Sequence, residues 1–68
     1  MNEESLNMQI RKFLKKVGIN SQREIETAVR EAAESGAIVP GDALDAKMTL
    51  QIESLGLSIA IEDSIKIE

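Results

Sequence analysis

Four basic residues crowded into six positions, Arg11, Lys12, Lys15 and Lys16, are the one concentrated positive feature of a chain that carries 8 basic and 12 acidic residues. Such a group suits docking to an acidic partner, an RNA or an anionic surface, and as a solvated helix face it needs no partner. Met8 projects among these charges as a small apolar anchor, so Met8, Arg11, Lys12, Lys15 and Lys16 are the candidate partner-binding residues. Carboxylates pair at Asp42 with Asp45 and at Glu62 with Asp63, but without the ligand ladder and glycine of a calcium loop. The stretch 36-GAIVPG-41 has the glycine spacing of a phosphate loop, yet Asp42 and Ala43 stand where Lys and Ser/Thr would hold phosphate and Mg²⁺.

The chain contains no His and no Cys. That removes the usual zinc sites, the Ser-His-Asp and Cys-His nucleophile arrangements, and any side chain whose ordinary titration falls near neutrality. Disulfides are excluded as well, and no oxidising compartment is called for. The expectation is therefore a protein that is not an enzyme and takes no cofactor and no metal. An acidic N-terminal stretch without an apolar leader, and no apolar run near the ~20 residues needed to span a bilayer, point to a cytoplasmic location without a membrane span. A net charge of −4 disfavours a general polyanion binder.

These residues need elements to position them, and 68 residues allow one small domain. Cores of this size rarely supply more than ~3–5 kcal/mol. With Phe13 as the only aromatic residue, help from self-association is a natural expectation. Residues 3–17 have helical periodicity: Leu6, Ile10, Phe13, Leu14 and Val17 share an arc of roughly 100°, opposite the basic quartet. Glu3 and Glu4 complement the positive end of the helix dipole, the lysines complement the negative end, and Gly18 suits a left-handed stop. Ser21 and Glu24 then have the spacing of a capping box. A second helix is predicted over 22–35, with Ile25, Ala28, Val29, Ala32 and Ala33 inward and Gly36 as its terminator.

From Ala37 the period changes. Pro40-Gly41 fits the central positions of a type II turn in a connecting loop. Alternation of Met48, Leu50 and Ile52 with polar neighbours predicts a strand over 47–53, and Leu57, Ile59 and Ile61 predict another over 57–61. Parity places Ile52 across from Leu57, leaving 53-ESLG-56 as the hairpin loop with Gly56 at positive φ. The tail 65–67 alternates again and predicts a third strand after a turn through Glu62, Asp63 and Ser64. A single long strand from Leu57 to Ile67 has the same parity.

The fold expected from these readings is α+β. Two N-terminal helices pack on one face of a small antiparallel sheet of two to three strands, in the order ααβββ, as a single domain over residues 1–68. Two helices joined at a glycine and followed by a hairpin also describe a winged-helix nucleic-acid reader, which is the alternative. Its reading helix would carry Glu24, Glu26, Glu31 and Glu34 against Arg23 and Arg30, a poor match for phosphates. The blocks 10-IRKFLKKVG-18 and 20-NSQREIE-26 resemble the opening of an uncharacterised family of short bacterial proteins, most strongly over residues 1–36. That resemblance implies a bacterial, single-domain protein and transfers no activity. The functional expectation is a small non-enzymatic interaction module whose partner is an unknown protein or a second copy of itself, with nucleic acid disfavoured.

Overall fold

Asn2 starts the first element by turning its side chain onto the backbone it precedes: its Oδ1 accepts from the Ser5 N–H at 3.1 Å. A cap of this kind satisfies one of the orphan donors of a helix start and contributes about 1 kcal/mol. In the computed structural model, which describes residues 1–68, the helix that follows, α1, runs without interruption from Glu3 to Glu34, 32 residues. It ends in a paired hydrogen-bond lock. The Gly36 N–H donates to the Ala33 carbonyl at 3.2 Å and the Ala37 N–H to the Ala32 carbonyl at 2.8 Å, with Gly36 at φ 78. This is the Schellman pattern, in which glycine takes a left-handed conformation that a Cβ would oppose. Gly36 terminates the helix as its position in the sequence predicts.

One helix stands where two were expected. Gly18 does not take a positive φ and sits inside α1, and Ser21 caps nothing. The physical reason lies in the size of the competing terms. An interior glycine costs about 1 kcal/mol relative to alanine and a capping box contributes a similar amount, whereas breaking a helix forfeits several backbone hydrogen bonds and exposes two new ends. The apolar ladder also crosses the supposed break, since Val17, Ser21 and Ile25 are each four residues apart. No proline forces a turn there. An Ala at position 18 would meet nothing within 4 Å. Gly18→Ala is therefore expected to raise helix stability by about 1 kcal/mol in thermal melts followed by circular dichroism; a loss of similar size would mean that glycine is needed there as a stop.

The remaining elements are two strands, β1 (Ala43–Ile52) and β2 (Leu57–Lys66), joined by a 3₁₀ turn over Glu53–Leu55. Gly56 closes the turn at φ 63, its N–H donating to the Glu53 carbonyl at 3.0 Å. Ile52 pairs with Leu57, as parity predicts, and the ladder continues unbroken to Ala43 opposite Lys66. It extends further at the open end, where the Ile67 N–H donates to the Asp42 carbonyl at 2.8 Å. Pro40-Gly41 forms the expected turn: the Asp42 N–H donates to the Val39 carbonyl at 3.1 Å, and Gly41 has φ 100. The Asp42 carboxylate reinforces it by accepting from the Val39 N–H at 3.0 Å.

The third strand is corrected too. Glu62, Asp63 and Ser64 do not turn; they pair with Lys47, Ala46 and Asp45 inside one continuous β2. Opposed Glu62 and Lys47 are a favourable cross-strand pair, which makes this stretch a better strand than its polarity suggested. The sheet has two strands, and the order of elements is αββ. Residues 1–37 and 38–68 form separate compact units.

Neither unit contains a core. No residue in the chain is buried. The two helices and the sheet of up to three strands that were expected are replaced by one long helix and a two-stranded hairpin, each with an apolar row of its own.

Candidate functional site

Three surfaces emerge from these elements. The first is the apolar stripe of α1. At about 100° per residue, Ile10, Leu14, Val17, Ser21, Ile25, Ala28 and Ala32 stay on one side of the helix, with spacings of 4, 3, 4, 4, 3 and 4 residues. Phe13 and Leu14 are each 53% exposed, and Val17, Ser21, Val29 and Ala32 are half-buried. Apart from Ser21, which was expected to be a cap, these side chains were expected to face inward from two separate helices; on the single helix they form one band.

The second surface is one face of the hairpin. The antiparallel register sets Leu44 against Ile65, Met48 against Ile61, Leu50 against Ile59, and Ile52 against Leu57. All eight side chains share a face because side-chain direction alternates along each strand and partners point the same way. The pair Ala46 with Asp63 interrupts the row with a single carboxylate, whose Oδ1 accepts from the neighbouring Ser64 N–H at 2.7 Å. The other face is polar: Asp45 pairs with Ser64, Lys47 with Glu62, and Gln51 with Ser58.

The third surface carries the sequence-predicted site. Met8, Arg11, Lys12, Lys15 and Lys16 lie within two and a half turns of α1 and are all exposed. Met8 is 70% exposed and lines a shallow depression with Glu3, Glu4, Asn7 and Arg11. Two acidic side chains thus stand at the edge of the basic quartet. The quartet itself occupies the side of the helix away from the stripe, so α1 presents two chemically different faces.

The remaining depressions are also open and shallow. One is lined by Ile19, Gln22, Arg23, Glu26 and Arg30, another by Asp45, Ala46, Lys47, Glu62 and Asp63. No three His, Cys, Asp or Glu side chains come together as a metal-binding group. The uninterrupted helix lacks the turn between residues 17 and 22 that the winged-helix alternative requires. No helix is long and apolar enough to cross a membrane.

Sequence reasoning located the charged face but divided the apolar one between two helices. The missed signal was the ladder through Val17, Ser21 and Ile25, which belongs to one helix and not two. No curated protein and no solved structure matches the chain. A family model does match, over residues 1–68, and the chain belongs to that family, DUF6494, a family of unknown function.

Proposed function

We propose that this protein is a small non-enzymatic interaction module, set in the bacterial cytoplasm, whose fold is completed by a protein partner. The observation that carries the reading is the absence of any buried residue in a chain with two apolar rows, one broken by Ser21 on α1 and the other by Asp63 in the hairpin. Ordering a residue costs about 1–2 kcal/mol of backbone entropy, and burial of apolar surface is the main term that offsets it. A helix with an accessible stripe and an isolated two-stranded hairpin leave that term small. Contiguous apolar surface of this kind marks protein interaction sites. The absence of His and Cys supports a non-catalytic role, and the resemblance to short bacterial proteins supports the setting.

The test is the dependence of stability on association. Thermal unfolding of the full chain over a hundredfold range of protein concentration should shift to higher temperature as concentration rises, because a ligand or subunit that binds only the folded form stabilises it by mass action. Should the partner be a different protein, the chain alone melts with little cooperativity at every concentration. A sharp, concentration-independent transition of a monomer would refute the reading.

In this reading Met8, Arg11, Lys12, Lys15 and Lys16 form a second contact surface for an acidic partner. Reversing two of these charges, Lys12→Glu with Lys15→Glu, is expected to change stability by no more than about 0.5 kcal/mol per site. The same change should abolish partner binding that weakens between low and high salt. Binding that is indifferent to both salt and charge reversal would reduce the quartet to a solvated face.

A further inference from the structure

We infer that β1 pairs along its open edge with β1 of a second copy of this chain, antiparallel and with the two-fold axis at Ala46, so that two hairpins make one sheet. This rests on the reading of an interaction module and names its partner.

The sheet has two strands, so each strand is hydrogen-bonded on one side and presents an open row of N–H and C=O groups on the other. An isolated hairpin is marginal in water, and adding a strand at such an edge is a recurrent mode of association. The Ile67 N–H donates to the Asp42 carbonyl, which turns the backbone of Asp42 toward β2. Backbone direction alternates along a strand, so Ala43, Asp45, Lys47 and Thr49 turn theirs to the open edge. An axis at Ala46 brings Ala43 to the partner's Thr49 and Asp45 to the partner's Lys47, with the reverse on the other side. Each meeting joins outward-turned backbones, and every side chain keeps its face.

Charge selects this register. Asp45 and Lys47 are exposed and lie together on the polar face of β1, at the edge being joined. Within its own hairpin Asp45 faces the uncharged Ser64, while Lys47 faces Glu62. Across the junction each Asp45 meets a Lys47, and each Lys47 stands between Glu62 of its own chain and the partner's Asp45. Moving the axis by one residue to either side keeps the faces but sets Asp45 on Asp45 or Lys47 on Lys47, and like charges directly opposite are destabilising. A lysine on an edge strand ordinarily repels a second strand; the aspartate two residues before it turns that repulsion into a preference for one register.

The edge of β2 offers less. Its outward residues are Ser58, Ala60, Glu62, Ser64 and Lys66, and opposite charges meet there only with the axis at Ser64. That register stops at Lys66, where β2 ends, and joins only Glu62–Lys66, whereas the register on β1 joins Ala43–Thr49. Pairing β1 with itself also satisfies the requirement that one patch on a two-fold interface be complementary to itself.

The absence of cysteine permits a direct test in the full chain under mild oxidation. Ala46→Cys should cross-link to itself nearly completely, since opposed residues of a non-hydrogen-bonded pair lie about 4.5 Å apart at Cα, within reach of a disulfide. Ala60→Cys, on the outer edge of β2, should not. In sedimentation equilibrium Asp45→Lys, which leaves Lys47 opposite Glu62, should weaken self-association at least tenfold, and Lys47→Asp should do likewise. An equimolar mixture of these two variants should associate as tightly as the parent, because both junction pairs then join opposite charges. A dimer without the cross-link at position 46, or one indifferent to both charge reversals, would overturn the inference and leave the reading of an interaction module intact. A monomer without cooperative unfolding would do the same, whereas a cooperatively folding monomer would overturn both.

Discussion

Gln22→Pro is expected to abolish the folded state of this chain at ordinary concentrations. Position 22 lies inside α1, where proline removes one intrahelical hydrogen bond and its ring collides with the carbonyl one turn earlier, that of Gly18. The cost is about 3 kcal/mol or more. The chain has no core from which to absorb such a loss, since none of its residues is buried. Far-ultraviolet circular dichroism should show most of the helical signal gone. The substitution also separates the two architectures. Were Ser21 the cap of a separate helix, position 22 would be its first residue, the one helical site where proline is preferred, and the variant would fold as well as the parent. Retention of the full helical signal would therefore restore a break near residue 18.

The same position explains what was legible in the sequence and what was not. Helical periodicity on both sides of Gly18 was plain, as were the terminator at Gly36 and the turn at Pro40-Gly41. The junction was not. Gly18, Asn20 and Ser21 are residues that favour turns and caps when alternatives exist, but each is also tolerated inside a helix at a cost of about 1 kcal/mol or less. Local cues of that size decide nothing when the apolar ladder continues through them. A similar local cue misled at Glu62, Asp63 and Ser64. Their polarity suggested a turn, whereas in the hairpin Glu62 opposes Lys47 and Ser64 opposes Asp45 on the polar face. Parity alone correctly set Ile52 against Leu57, because a slip of one residue would move the whole apolar row to the other face.

The candidate surfaces were legible to a different degree. The basic quartet can be read directly, since charge needs no fold to be noticed. The stripe was visible as apolar residues, but its meaning depended on what it faces. A sequence shows that Phe13 and Leu14 seek cover; it does not show whether this chain or another supplies it. Predicting two helices divided the stripe at Gly18, and that division failed because α1 runs unbroken from Glu3 to Glu34.

Two adjacent residues of β2 test whether a partner covers the apolar row of the hairpin. Ile59 belongs to the apolar row and pairs with Leu50; Ala60 points to the polar face and pairs with Thr49. Aspartate is a poor strand residue at either site, so propensity lowers both variants by a similar amount, within ~1 kcal/mol. They differ in what surrounds the new carboxylate. If a partner covers the apolar row, Ile59→Asp loses the burial of a large side chain, about 1.5–3 kcal/mol, and in addition places a charge without a partner in an apolar contact. Ala60→Asp loses neither. The expected outcome is loss of cooperative folding and of association for Ile59→Asp, with Ala60→Asp close to the parent in thermal melts and sedimentation. Ile59 is 47% exposed in the isolated chain, so a hairpin that functions uncovered would respond to the two substitutions almost equally. Equal responses would take that row out of the interaction surface, because a row of apolar side chains that tolerates a charge at its centre is not in contact with anything.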